Sequence, residues 1–138
     1  MWKPKDILGP ETILITREQI VRYAGASGDY NPIHYDEEQA RRFGLPGVIA
    51  HGMLNMGLAA RFLETQSPPG ARFQRYTVRF RQMVRPNQRL IISGIVKSVQ
   101  NEGDIFHAAI DVVMQIENGD AVITGQAVMT VPIKTAKS

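Results

Sequence analysis

The sequence predicts an α+β domain in which one antiparallel sheet wraps a single long apolar helix. Three observations carry that expectation. The first half holds short helical patterns, the segment from His51 to Glu64 is apolar on almost every side, and the last sixty or so residues read as long strands joined by short turns. At 138 residues the chain is sized for one domain over its whole length, with 43% hydrophobic and 21% charged residues. That mix suits a folded chain, and no apolar stretch reaches the ~18 residues of a membrane span.

Each element has a local cause. Thr16 and Gln19 form a capping box, and Ile20, Tyr23 and Ala24 make a helical stripe expected to stop at Gly25. Asp36 caps a second short helix, with Glu37 and Glu38 at its positive end, Arg41 and Arg42 at its negative end, and Gly44 at the exit. From His51 to Glu64 the run of Met53, Leu54, Met56, Leu58, Phe62 and Leu63 leaves almost no polar face, so a buried helix is expected. Gly52, Gly57, Ala59 and Ala60 would admit close neighbours.

After Pro68-Pro69-Gly70, four strands are expected at Phe73–Val84, Leu90–Val99, Ile105–Ile116 and Ala121–Val131, with Asn118-Gly119 as the strongest hairpin signal. They read as a meander, to which Thr12–Ile15 adds an edge strand. Leu90, Ile92 and Val96 alternate with Ile91, Ile95 and Val99, so both faces of the sheet look apolar. One helix cannot cover both, and a dimer is expected.

Composition narrows the chemistry. No cysteine is present, which excludes disulfides, thiolate nucleophiles and cysteine-bound metal. The N-terminal residues have no hydrophobic segment behind their charges, so a cytoplasmic protein is expected. The net charge is +3, yet Arg72, Arg75, Arg79, Arg81, Arg85 and Arg89 crowd one stretch of it. Such a block suits an anionic partner or a solvated face. Phosphate-loop and dinucleotide fingerprints are absent, Ser27 lacks the setting of a nucleophile elbow, and His107 reads as a structural residue within a strand.

The segment Gly28-Asp29-Tyr30-Asn31-Pro32-Ile33-His34 stands out. Pro32 stiffens it, so Asp29 and His34 can be held facing one pocket, where a carboxylate and an imidazole would share a water. On spacing alone, the plainer reading is favoured, with Asp29 as a turn former and His34 as an ordinary loop residue.

Ala26-Ser27-Gly28-Asp29-Tyr30-Asn31-Pro32-Ile33-His34-Tyr35-Asp36, followed by Gly44-Leu45-Pro46-Gly47-Val48-Ile49-Ala50-His51-Gly52-Met53-Leu54, closely resembles the signature of MaoC-like, (R)-specific enoyl thioester hydratases, which have the hot-dog fold. The stretch Tyr76–Arg81 with Val84-Arg85-Pro86 resembles the family's strand after the helix. The resemblance implies one MaoC-like hot-dog domain over 1–138 and reversible hydration of trans-2-enoyl thioesters to (3R)-3-hydroxyacyl thioesters, with no cofactor and no metal.

By residue, it implies that Asp29 and His34 activate the water, Asn31 lines the pocket, and the Gly52 N–H binds the thioester oxygen. His51 reads as a helix cap or a core hydrogen-bonding residue. Arg79 and Arg81, on one strand face with Arg75 and Arg85, would meet coenzyme A or an acyl carrier protein, both anionic carriers of acyl thioesters. A homodimer is expected and a heterodimer is the alternative; neither nucleic acid nor membrane is an expected partner. A hot-dog thioesterase and a non-catalytic acyl-binding subunit are the competing functions, and the Asp29–His34 pairing argues against both.

Overall fold

Alternating burial runs along the strand Ile105–Ile116 (β4). Phe106, Ala108, Ile110, Val112 and Met114 are buried and their odd-numbered neighbours are partly exposed. That period of two marks a sheet with one covered face. In a computed structural model, which describes residues 1–133, the cover is the helix Gly52–Gln66 (α3).

Ahead of α3 come Ile7–Leu14 (β1), Arg17–Ser27 (α1), a 3₁₀ turn at Pro32–His34 and Glu37–Arg42 (α2). After it come Arg72–Phe80 (β2), Arg89–Glu102 (β3), β4 and Ala121–Pro132 (β5). The sheet order is β1-β3-β4-β5-β2, antiparallel throughout. This is the expected hot-dog arrangement, and only the strand order read from the sequence needs correction. β2 does not lie beside β3 as a simple meander requires; it crosses to pair with β5, and β1 takes the place beside β3.

β2 also ends at Phe80 rather than Val84. Both Arg81 and Gln82 donate their N–H to the Val122 carbonyl, which breaks the ladder, and Val84 turns inward with its carbonyl accepting from Ala50 N–H.

Phe62, Leu63, Ala59, Leu58 and Leu54 of α3 join Leu90, Ile92, Ile110, Met114, Ile123 and Met129 of the sheet in one core. Gly9 shows how close the approach is. A Cβ there would sit 2.9 Å from the Phe62 ring, and its φ of +79° already disfavours other residues. Tyr76 on β2 donates its hydroxyl to the Met56 carbonyl at 2.8 Å, and burial pushes that phenol up to about 12.

Three local expectations need correction. α1 continues through Gly25 and stops at Gly28, which takes the left-handed conformation with φ 76°. α3 is not buried all round, since Met53, Gly57, Arg61 and Glu64 are exposed, and Gly57 has no close neighbour. The outward face of the sheet is mixed: Ile91, Ile95 and Val113 share it with Ser93, Asp111, Thr124 and Gln126.

Phe62→Ala should destabilise the protein by about 3–5 kcal/mol, the usual cost of emptying a buried aromatic site. Chemical denaturation will measure it.

Candidate functional site

The segment between α1 and α2 is built from side chains that bond their own backbone. Ser27 accepts from Asp29 N–H, Asp29 Oδ1 from Asn31 N–H at 3.2 Å, and Asn31 Oδ1 from Ile33 N–H at 3.2 Å. Each link fixes the next residue, so this short loop has little freedom. Asn31 thereby becomes the N-cap of the 3₁₀ turn, and its carbonyl oxygen is engaged there. Asn31 is exposed and lines neither of the hollows at Gly52 and on the outward sheet face, so its part here is to fix the loop.

The 3₁₀ turn delivers His34 into the interior, 6% exposed. Its Nδ1 lies 2.8 Å from the Ile49 carbonyl, which can only accept, so Nδ1 carries a proton, and in the neutral imidazole Nε2 keeps a lone pair. That lone pair faces Asp29 Oδ2 at 3.8 Å, beyond direct hydrogen-bond range. Two acceptors opposed at this spacing suit a molecule with two donor hydrogens. Water is the smallest one.

Behind this pair lies His51, 2% exposed. Its ring stacks on His34 with centroids 3.7 Å apart, and Tyr23 of α1 meets its other side edge-on at 4.8 Å. His51 makes no cap hydrogen bond; its Nε2 donates to the Asp29 carbonyl at 3.2 Å, so the expected core hydrogen bond is the part that holds. Burial, reinforced by the nearby His34, lowers its pKa from the ordinary 6.5, against the opposing pull of the Asp29 carbonyl.

Ligand atoms of Asp29, His34 and His51 lie within 4.8 Å of one another. The two rings are only 21° from parallel, however. Lone pairs lying in nearly parallel planes do not converge on one ion at zinc-like distances. The arrangement is better suited to moving a proton than to holding a metal.

Gly52 opens α3, and the absence of a side-chain cap leaves the first N–H groups of the helix free. With no acidic residue in the first turn, that end is an uncompensated partial positive charge. A Cβ at Gly52 would stand 3.2 Å from the Phe80 ring, so the glycine also keeps β2 close.

Glu37 anchors the surroundings. It bonds Arg17 at 2.7 Å, faces Arg41 at 3.7 Å and Arg85 at 4.0 Å, and accepts Val48 N–H at 3.3 Å. The Arg17 hydrogen bond chiefly holds its carboxyl below the usual value. The link to Val48 steadies the segment that carries the Ile49 carbonyl to His34.

The arginines separate. Arg79 and Arg81 line a hollow of about 620 Å³ on the outward sheet face, together with Thr77, Asp111, Thr124 and Gln126. Arg81 also borders a second hollow at Gly52. Arg85, expected on the same face, instead turns to Glu37 because β2 has already ended. His107 is held by Glu102 at 2.8 Å and Thr130 at 3.1 Å, as befits a structural residue.

Residues 4–117 match the family model described as MaoC like domain. The chain belongs to that family. The chain is 42% identical over 82 residues to "3-hydroxyacyl-thioester dehydratase X" of Mycobacterium tuberculosis, covering 59% of this chain and 28% of that protein. It is 33% identical over 99 residues to the mitochondrial "3-hydroxyacyl-[acyl-carrier-protein] dehydratase" of Arabidopsis thaliana, covering 72% and 57%. The chain thus spans less than two thirds of either relative.

Among solved structures, R-Hydratase PhaJ1 from Pseudomonas aeruginosa superposes with a TM-score of 0.87 at 25% identity, covering 96% of this chain and 84% of that one. At 20% identity, a chain of the ChsH1-ChsH2 complex from Mycobacterium tuberculosis shares the fold, with a TM-score of 0.84 over 95% and 99%.

Linkage gives the site a pH signature. A histidine whose folded pKa is lowered stabilises fully above the unfolded value of 6.5, and that contribution is lost as pH falls below it. Thermal stability should therefore decline from pH 7 toward pH 5, and His51→Gln should flatten that slope. Glu37, lowered from 4.5, enters only at lower pH still. Melting temperatures measured across pH 5–8 will check the difference between the two proteins.

Proposed function

We propose that the protein is a hydro-lyase that reversibly hydrates trans-2-enoyl thioesters to (3R)-3-hydroxyacyl thioesters. The observation that carries this reading is the opposed pair of acceptors, His34 Nε2 and Asp29 Oδ2, 3.8 Å apart beside a helix end that keeps free N–H groups. A water donating to both acceptors directs its oxygen lone pairs outward, toward C3 of a bound enoyl group.

His34 takes one water proton as the oxygen bonds to C3, and electron density moves onto the thioester oxygen. The Gly52 N–H at the positive end of α3 stabilises that enolate charge. The proton is then returned to C2, so water has added across the double bond without a change of oxidation state. Dehydration is the same path reversed. The names of the relatives support the reaction class, and the polarity of this pair supports the roles assigned to Asp29 and His34.

The assembly follows from the edges of the sheet. β1 carries Pro10 and a register shift, which blunt it for pairing. The free edge of β2 instead adjoins exposed Phe80, with exposed Met53 and Met83 beside the Gly52 hollow. We therefore place a second copy along the free edge of β2 and beside the start of α3, at the rim of the Gly52 hollow and not over it. A related chain as the partner is the alternative. Light scattering should give about twice the 15.4 kDa chain mass; a monomer at micromolar concentration would overturn this assembly. No helix among the described residues is long and apolar enough to cross a membrane, and the cytoplasmic placement expected from the sequence belongs to the same proposal.

Purified protein should consume crotonyl-coenzyme A with loss of enoyl absorbance. Asp29→Asn and His34→Gln should each lower kcat at least ~10²-fold with the fold retained, and the double variant should be little worse than the poorer single one. Near-normal turnover in either single variant removes the mechanism. Thiol release from saturated acyl thioesters without hydration would point to a thioesterase.

Arg79 and Arg81 serve the carrier's anionic groups in this reading. Charge reversal at both should raise KM about ten-fold at low ionic strength and leave kcat nearly unchanged, with the effect fading as salt is added. An unchanged KM would show that they do not meet the carrier.

A further inference from the structure

Asn55 lies one turn into α3 and is 2% exposed, yet its Oδ1 has no hydrogen-bond partner among the described residues. Buried amides are seldom left this way, because the lost hydration of the oxygen goes uncompensated. Residues Leu54, Leu58, Ala59 and Phe62 on the same helix are apolar and buried, and a leucine at position 55 would meet the packing need alone.

The location of the amide indicates what it awaits. Helix side chains lean toward the N-terminus, so Asn55 lies over the turn that begins at Gly52. Both residues line an open hollow of about 290 Å³ together with Ile49, Ala50, Phe80 and Met83, with Arg81 among its walls. Neither Asp29 nor His34 lines it. With the thioester oxygen at Gly52 and C3 at the Asp29–His34 pair, the sulfur and the carrier arm leave through this hollow. Coenzyme A and acyl carrier proteins share that arm. Its first hydrogen-bond donor after the sulfur is an amide N–H two carbons away.

Resting on the hydratase reading above, we infer that Asn55 is a carrier-arm binding residue whose Oδ1 accepts the amide N–H nearest the thioester sulfur. The contact belongs to the arm and not to the reacting carbons. It therefore governs binding and selects substrates that carry such an amide.

The test compares crotonyl thioesters of N-acetylcysteamine, which retains the amide, and of butanethiol, which lacks it, on wild type, Asn55→Leu and Asn55→Ala. Wild type should favour the amide-bearing thioester in KM by about ten-fold, one hydrogen bond's worth, and both variants should erase the preference. Asn55→Leu should also melt at a higher temperature than wild type, since the uncompensated oxygen is gone. Variants that keep the wild-type preference overturn the inference, as does an equal loss on both thioesters.

A loss confined to 3-hydroxyacyl substrates in the reverse direction overturns it too, by assigning the donor to the C3 hydroxyl. Calorimetric titration with pantetheine alone separates this inference from the reaction. If wild type fails to hydrate crotonyl thioesters, the hydratase reading falls, while tighter pantetheine binding by wild type than by Asn55→Leu still supports the Asn55 assignment. Equal binding overturns it.

Discussion

Packing of α3 into the curve of the sheet is the constraint from which the rest of the site follows. Phe62 and Leu63 are essentially inaccessible, and Gly9 lets β1 come against the Phe62 ring without a side chain between them. A helix seized this firmly along its later turns has a fixed beginning. The free N–H groups at Gly52, the ring of His51 and the amide of Asn55 inherit their positions from apolar contacts a turn or more away. The polar end is thus positioned by the hydrophobic end, which is how a site can hold unsatisfied groups without moving to satisfy them.

The second component is the segment from Gly28 to His51, which supplies the side chains of Asp29, His34 and His51 and holds two of them with its own backbone. The Ile49 carbonyl sets the tautomer of His34, and the Asp29 carbonyl holds His51. Neither contact depends on the identity of the residue that supplies the oxygen. What the segment must preserve is its path, and Glu37, Asn31 and Gly28 are placed to preserve it. Two imidazoles stacked in a buried space disfavour charge on both at once, and burial keeps His51 on the neutral side.

Much of this was legible in the residues. The caps at Thr16 and Asp36 form, with Oγ1 of Thr16 accepting from Gln19 N–H and Oδ1 of Asp36 from Gln39 N–H, while the returning half of the expected box is not made, since Gln19 Oε1 is buried without a partner among the described residues. The strand Ile105–Ile116 begins and ends where its alternation does. Legibility failed where an outcome depends on distant partners. Turn chemistry at Arg85–Gln88 looks like a hairpin, yet strand order is decided by which edge each strand can cover, so β2 reaches β5. Gly25 resembles a stop, but a helix ends where the left-handed residue completes the cap, and that is Gly28. Asn55 carried no signal at all. An asparagine in an apolar helix gains meaning only when its neighbours are seen to offer it nothing.

The order of strands also dictates an order in time. β3, β4 and β5 are joined by short turns and can zip together as local hairpins. The outer strands depend on far later residues: Ile7 pairs with Ile95, and Arg72 with Thr130. On a ribosome, where chains emerge from the N-terminus, β1 has no partner until most of the chain has been made. β2 must wait for nearly the last residues of the sheet. The exposed edge and the apolar helix are therefore synthesised long before anything can shelter them, and each outer strand must find a partner dozens of residues further along. Such non-local closure slows folding. For this protein the interval between synthesis and shelter, more than the stability of the finished fold, is when aggregation threatens.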